Sequence, residues 1–219
     1  MGLNVFKLGG PLMWVIAAVS VLAFAIVIER LFFFRKASTD PMALETALGK
    51  ALYEKDEAAA KAVVTSGSSS LHRLFEVAVA HWQTGPDSLE TLMEQQLRRE
   101  MFRWEKGLGT LATIARVAPL LGLLGTVLGM VSTFRGLPAV SGAASGAGGA
   151  GMAELASGIW VALLTTVAGL SVAVPVILCH TYLSARVDSE EETLHRGIDF
   201  LVREKLLQET VRTEEREAS

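Results

Sequence analysis

Three long apolar stretches of the chain carry no charged side chain, whereas residues 35–108 and 186–219 are highly charged. The charge-free stretches are Pro11–Ile28, Val117–Phe134 and Leu155–Ala185. A helix of about 20 apolar residues crosses the roughly 30 Å hydrocarbon layer of a bilayer. The pattern therefore predicts an all-α membrane protein with three transmembrane helices, at residues 11–34, 109–135 and 159–183.

The first apolar stretch has an alternative interpretation as a cleaved signal peptide. Lys7 precedes it, and Ala23-Phe24-Ala25 has the form of a cleavage site. The apolar run continues past that site, however, and the stronger basic cluster, which includes Arg30 and Arg35, follows the run. Because a signal peptide carries its basic residues first, we interpret the stretch as a membrane span.

Lysine and arginine in the connections indicate how the spans are oriented. Residues 35–108 hold ten Lys/Arg, whereas residues 136–158 hold none. Connections on the cytoplasmic side keep the excess of basic residues. The sequence thus predicts an N-terminal segment 1–10 outside, an insert 35–108 inside, a connection 136–158 outside and a C-terminal segment 184–219 inside.

The insert reads as a series of helices. Asp40-Pro41 is typical of a helix start, and strong helix formers fill residues 42–64. A Gly/Ser-rich break follows, and a second helix is predicted to run to about Gln83. From Asp87 onward apolar residues recur at helical spacing. No strong breaker precedes Pro119, so we expect this third helix to continue unbroken into the second span.

The C-terminal segment is predicted to be an amphipathic helix that continues from the third span. Its apolar stripe comprises Val187, Leu194, Ile198 and Leu201. Such a stripe packs against a partner surface, which is either the insert of the same chain or another protein. The sequence leaves both alternatives open.

Small and hydroxyl side chains recur every three or four residues in the second and third spans. They are Gly122, Gly125, Thr126, Gly129 and Thr133, followed by Ala162, Thr165, Thr166, Gly169 and Ala173. Polar groups within a bilayer face other helices or water, and Gly-x-x-x-Gly is a helix-packing motif. Spacing alone favours helix packing, with threonine hydroxyls bonded to their own backbone carbonyls, and leaves an ion path as the alternative.

The polar residues exclude several functions. With 20 Lys+Arg, 23 Asp+Glu and a net charge of −3, the chain lacks the basic excess of nucleic-acid-binding proteins. Its only cysteine, Cys179, cannot form a disulfide framework or a structural zinc site. No acid, histidine and serine constellation in the spans indicates an enzyme, so we expect no catalytic residue, metal or cofactor. Since no Asp, Glu or Lys lies mid-span, a proton channel would need a partner that supplies the acid.

Two segments of the chain resemble the signatures of the MotA/TolQ/ExbB proton channel family. The first reads Ala-Pro-Leu-Leu-Gly-Leu-Leu-Gly-Thr-Val-Leu-Gly-Met over residues 118–130, and the second places Ala162-Leu163, Thr165-Thr166 and Gly169-Leu170 after Gly158-Ile159. They occur in the family's order, and Glu29-Arg30 at the end of the first span is also similar to ExbB and TolQ chains. Three spans with a short insert favour ExbB or TolQ over MotA, which has four spans.

The resemblance implies a subunit of the bacterial inner membrane, with a periplasmic N-terminus and a cytoplasmic C-terminus. In this family five copies form a ring around the transmembrane helices of two ExbD- or TolR-like partners, whose membrane aspartate carries the proton. Proton flow then does work on a TonB- or TolA-like protein, and in the ExbB case energises TonB-dependent outer-membrane transport. The non-family alternative is a membrane scaffold that conducts no ions.

The resemblance also assigns roles to individual residues. By motif position Thr126 and Thr166 would line the ion path, with Thr165 and Thr133 on the same stripes. The residues expected to pack the helices are Gly122, Gly125, Gly129, Gly169 and Pro119. One position departs from the family, because ExbB and TolQ usually carry a glutamate where this chain has Val161. Any role of that glutamate does not transfer to this chain.

Overall fold

The computed structural model describes residues 10–37, 40–54, 56–140 and 148–217. Every regular element in these ranges is an α-helix: α1 Gly10–Ala37, α2 Pro41–Tyr53, α3 Glu57–Thr65, α4 Ser70–Ala80, α5 Pro86–Glu105, α6 Leu108–Val140 and α7 Gly148–Glu217. They form two compact units. The apolar unit comprises residues 1–29 and 107–182, and the charged unit comprises residues 30–106 and 183–219.

Three helices of the described chain are long and apolar enough to cross a membrane, the number that the sequence predicts. Their large apolar side chains are mostly exposed; Phe24 and Trp160, for example, each expose 66% of their surface. Extensive exposed apolar surface is characteristic of contact with lipid or with other subunits. The fold is therefore that of an all-helical membrane protein.

The connection predicted at residues 136–158 is helical at both ends. α6 continues to Val140, and α7 begins at Gly148. Residues 141–147 and the predicted outer residues 1–9 lie outside the described ranges. The borders of the spans and the sides of the membrane stay predictions.

The helix that begins at Pro86 does not continue into the second span, so this prediction was wrong. α5 ends at Glu105, and α6 begins only at Leu108. Between them Gly107 has φ +82°, a left-handed conformation that glycine adopts without a Cβ penalty and that commonly ends helices. Gly107 was the breaker that the sequence interpretation passed over.

The helix starts in the charged unit follow local capping. As predicted, Asp40 caps α2, where its carboxylate accepts a hydrogen bond from the Met42 amide at 3.1 Å. The predicted helix over residues 42–64 is instead divided into α2 and α3. Asp56 accepts a hydrogen bond from the Ala59 amide at 2.9 Å and starts α3 as an N-cap, because its side chain satisfies an amide that lacks a helical partner.

The core of the charged unit lies between α4, α5 and the C-terminal part of α7. The buried side chains include Leu74, Phe75, Leu89, Met93, Trp104, Val187, Leu194, Ile198 and Leu201. A Cβ at Gly197 would lie 2.8 Å from Leu71 Cδ1, so α7 packs directly on α4. The apolar stripe of the C-terminal segment therefore covers the insert of its own chain, the first of the two alternatives.

Two polar side chains near the end of α7 fasten it to the insert. Lys205 is buried, and its Nζ donates a hydrogen bond to the Trp82 carbonyl at 2.6 Å. Gln208 Nε2 donates to the Leu52 carbonyl at 3.0 Å, and its Oε1 accepts from Trp82 Nε1 at 3.3 Å. These carbonyls lie at or just beyond helix ends, where backbone acceptors lack helical partners. The two side chains thus satisfy backbone groups of α2 and of the α4–α5 turn.

Candidate functional site

The predicted small-residue stripes of α6 and α7 face each other in the apolar unit. We call this contact the seam. Successive contacts pair residues of rising number on α6 with residues of falling number on α7, so the two helices run antiparallel. The pairs are Ala118 with Gly169, Gly122 with Thr166, Gly125 with Thr165 and Gly129 with Ala162.

The glycines of the seam allow close contact between the two helix backbones. A Cβ at Gly122 would lie 2.9 Å from Thr166 Cα, and one at Gly169 would lie 2.5 Å from the Ala118 carbonyl oxygen. A Cβ at Gly125 would overlap the side chain of Thr165. Small residues of this kind bring membrane helices together where lipid provides no hydrophobic drive. The seam is therefore a packing interface, as the spacing favours.

Two threonine hydroxyls of α7 converge on one carbonyl oxygen of α6. Thr166 Oγ1 donates to the Gly122 carbonyl at 3.0 Å. Thr165 is 2% exposed, and its Oγ1 lies 2.7 Å from the Ala162 carbonyl and 3.4 Å from the Gly122 carbonyl. The seam thus contains hydrogen bonds between helices as well as close backbone contact.

The two α6 threonines bond within their own helix. Thr126 Oγ1 donates to the Leu123 carbonyl at 2.7 Å, and Thr133 Oγ1 donates to the Gly129 carbonyl at 2.8 Å. Both side chains are half-buried. Thr133 also faces α7, because a Cβ at Gly158 would overlap its side chain. Within the described part of the chain Thr126 makes no hydrogen bond to α7, so its hydroxyl is the one least tied to the seam.

Pro119 and Val161 complete the sequence-predicted positions. Pro119 is half-buried inside α6, next to Ala118, which is buried against α7. Val161 is half-buried on α7, one residue before the buried Ala162. Because Val161 has no ionisable group, this position cannot bind a proton.

The seam can bind protonated species only through neutral oxygens. A hydroxyl that donates its hydrogen to a carbonyl keeps oxygen lone pairs that accept a further hydrogen bond. Thr126 and Thr166 are both in this state. They can therefore accept a hydrogen bond from water or from a protonated group, whereas a titratable proton carrier has to come from outside the seam.

The charged unit contains a buried ionic cluster that the sequence interpretation missed. Glu100 is fully buried and accepts hydrogen bonds from Arg73 Nε at 2.9 Å, Gln96 Nε2 at 2.9 Å and Arg103 Nη1 at 3.1 Å. Its hydrogen bonds with Arg73 raise the pKa of that guanidinium. Glu100 lies three residues after Leu97 and four before Trp104, in phase with the buried stripe of α5. That phase was the signal available in the sequence.

Two further ionisable groups of the charged unit are shifted by burial. Burial raises the pKa of Glu190 on α7, and the neighbouring Arg186 opposes that effect. Burial, and secondly the charge of Arg73, lower the pKa of His72. The ring of His72 lies with its Nδ1 2.7 Å from the Ser69 hydroxyl. It serves the packing of the α3–α4 turn.

Comparison with known proteins identifies a family and two relatives. The family model described as the MotA/TolQ/ExbB proton channel family matches residues 62–196, which include most of the insert and the whole seam. The chain is 32% identical over 190 residues to a biopolymer transport protein ExbB homolog of Methanothermobacter thermautotrophicus, covering 86% of this chain and 64% of the relative. It is 29% identical over 131 residues to the biopolymer transport protein exbB1 of Vibrio cholerae, covering 60% of this chain and 55% of the relative. The chain thus spans less than two thirds of the length of either relative.

Proposed function

Because the chain belongs to the MotA/TolQ/ExbB proton channel family, we propose that it is the ExbB-like subunit of a proton-driven motor in the bacterial inner membrane. Its partner is an ExbD- or TolR-like protein with a single span that carries an aspartate. The motor uses the proton motive force to act on a TonB-like protein and so to energise TonB-dependent outer-membrane transport. The N-terminus is periplasmic and the C-terminus cytoplasmic.

This proposal rests on one observation about the membrane segments of α6 and α7: they carry threonine hydroxyls but no acidic side chain. Thr126 and Thr166 can accept a hydrogen bond from a protonated group, whereas residues 117–134 and 155–185 contain no Asp, Glu, Lys or Arg. A proton path through hydrocarbon needs a titratable carrier. The family resemblance supplies that carrier as the membrane aspartate of the partner, and it implies a ring of five copies of this chain around it.

A non-conducting membrane scaffold is the second candidate function. It is favoured by the bonding of the seam hydroxyls, all of which donate to backbone carbonyls in the contacts described. A TolQ-like role in the Tol-Pal envelope system is a variant of the first proposal, with a TolA-like protein in place of TonB. Val161 stands where both ExbB and TolQ usually carry a glutamate, so this position favours neither branch, and another motor of the family is a further variant.

The test is proton flux in liposomes that contain the chain and its single-span partner. We expect flux that disappears when the partner's membrane aspartate is replaced by asparagine. Thr126→Val should reduce it about two- to ten-fold, because a hydrogen bond between neutral groups contributes about 0.5–1.5 kcal/mol. This variant leaves the bonds of the seam unchanged, since Thr126 donates only to the Leu123 carbonyl. Thr166→Val should also reduce flux, but it removes a seam bond as well.

Thr113→Val is the matched control, because Thr113 is exposed on α6 and likewise donates within its own helix, to the Gly109 carbonyl at 2.9 Å. It should conduct like the unmodified chain. Normal flux in both Thr126→Val and Thr166→Val would remove the threonines from the path. Absence of any flux that depends on the aspartate, in an assembled complex, would favour the scaffold.

A further inference from the structure

Charge is unevenly distributed along α5. Its first half carries Asp87, Glu90 and Glu94 and no cation, and its second half, with the residue after it, carries Arg98, Arg99, Arg103 and Lys106 together with Glu100 and Glu105. Acids near an N-terminus and cations near a C-terminus complement the helix dipole. The dipole does not account for Phe102, which lies among these cations with 75% of its surface exposed.

The cations surround Phe102 on one face of the helix. Arg98 and Arg99 precede Phe102 by four and three residues, and Lys106 follows it by four, the spacings that place side chains on the same face. All three cations are exposed. The opposite face of this half of α5 is buried and consists of Leu97, Met101 and Trp104. We call the exposed face, consisting of Arg98, Arg99, Phe102 and Lys106, the basic face.

The end of the first membrane span packs against the second half of α5, at the level of the basic face but on the opposite, buried side of the helix. The rings of Phe34 and Trp104 stack with centroids 4.6 Å apart, and Arg30 Nη1 donates to the Arg103 carbonyl at 2.9 Å. The apolar segment of α1 ends at Arg35, and the apolar helix α6 begins two residues after Lys106. With the spans as the sequence predicts them, the chain leaves the bilayer at about Arg35 and enters it again just after the basic face, which places this face at the membrane surface.

We propose that the basic face binds the anionic phospholipids of the membrane in which the protein lies, with Phe102 inserted at the boundary between headgroups and acyl chains. Interfacial segments combine apolar side chains at that depth with lysine and arginine on anionic headgroups. The inference does not depend on ion conduction.

The acids near the basic face do not neutralise it. Glu94 lies 4.0 Å from Arg98 in an exposed pair, which is weak and screened by salt. Glu100 is fully engaged by Arg73, Arg103 and Gln96 on the buried side. Glu105 is the remaining exposed acid of this half of α5. Arg35, at the end of the adjoining span, adds a further exposed cation.

Native mass spectrometry of the full chain in detergent tests the proposal by comparing how tightly the chain binds phosphatidylglycerol and phosphatidylcholine. We expect tighter binding of phosphatidylglycerol, and Arg98→Gln/Arg99→Gln should reduce that preference about 25-fold, since each cation near an anionic surface contributes about five-fold. The matched control is Lys50→Gln/Lys61→Gln, which removes two exposed cations of α2 and α3 in the same unit. An equal loss of the preference for phosphatidylglycerol in both double variants, or no loss in Arg98→Gln/Arg99→Gln, would overturn the proposal.

A depth measurement in liposomes tests the role assigned to Phe102. Nitroxide labels are placed at Phe102→Cys and, for comparison, at Tyr53→Cys, both in a Cys179→Ser background. The label at position 102 should be more accessible to oxygen than to a polar relaxation agent, and this difference should shrink when phosphatidylglycerol is omitted. The label at the exposed position 53 should behave as it would in water. Water-like behaviour at 102 contradicts the proposal. An immobilised label that ignores lipid composition contradicts it too, and indicates that a protein covers the face.

Discussion

Replacing Gly169 by alanine should destabilise the full chain, because the seam leaves no room for a methyl group there. The added carbon would lie 2.5 Å from the Ala118 carbonyl oxygen and 3.1 Å from Gly122 Cα. Both neighbours are backbone atoms, which cannot rotate away as a flexible side chain does. Gly109→Ala is the matched control, since a Cβ at Gly109, in the first turn of the same α6, meets nothing within 4 Å.

The size of the effect follows from the distance by which α6 and α7 must separate. A carbon to carbonyl-oxygen contact is ordinarily about 3.3 Å, so the helices would move apart by about 0.8 Å, a gap that forfeits about a quarter to a half of each dispersion contact. Overpacking of this kind costs about 1–3 kcal/mol. The hydrogen bond from Thr166 to the Gly122 carbonyl would lengthen and lose about 0.6 kcal/mol, and alanine would recover about 1 kcal/mol of helix propensity. The net loss is about 0.6–2.6 kcal/mol.

Unfolding of the purified full chain in mixed detergent, followed by circular dichroism, measures this difference. Gly169→Ala should unfold at a lower fraction of denaturing detergent than the unmodified chain, whereas Gly109→Ala should match or exceed it. Equal stability of the two variants would refute the close approach of α6 and α7 at Gly169. It would also remove the physical basis for the hydroxyl bonds across the seam.

Glu100→Ala should lower the free energy of unfolding by about 2 kcal/mol. The loss is smaller than for a fully buried pair, because Arg73 and Arg103 are partly exposed and regain water. Arg103→Ala should lower the free energy of unfolding by no more than about 0.5 kcal/mol. Thermal unfolding followed by tryptophan fluorescence compares them, and equal losses would contradict the central place of Glu100. The lowered pKa of His72 means that the unfolded chain binds more protons just below pH 6.5, so stability should fall as the pH drops below that value. His72→Gln should reduce this slope between pH 7.5 and 5.5, and parallel curves for the two proteins would exclude the effect.

The features that the sequence predicted well depend on local pattern. The three spans follow from runs of uncharged residues, the start of α2 from Asp40-Pro41, and the buried stripe of α7 from spacing alone. The facing stripes of the seam were visible for the same reason, since glycine and threonine at three- and four-residue intervals mark one face of a helix. Each of these signals lies within a few turns of one helix.

The features that were missed depend on partners far apart in the chain, or on one residue whose conformation decides a boundary. Glu100 binds Arg73 across 27 positions, and no spacing rule links the two. Predicting the break at Gly107 requires knowing that this glycine adopts a left-handed conformation and not a helical one, and helix propensity alone does not distinguish the two. The hydroxyl of Thr166 was expected on its own helix or on an ion path, and its bond to Gly122 depends on how closely two helices pack.

The bonds that Lys205 and Gln208 make to the insert determine the order of events during synthesis. Both bonds span more than 120 positions of the chain, so neither can form until the end of α7 has been made. At about 5–20 residues per second, the roughly 100 residues between the end of α5 and Lys205 take about 5–20 s to synthesise. During that interval the apolar surface of α4 and α5 lacks its cover while two further spans enter the membrane. The nascent chain is therefore most exposed to aggregation and proteolysis after its first span is inserted and before its last helix arrives.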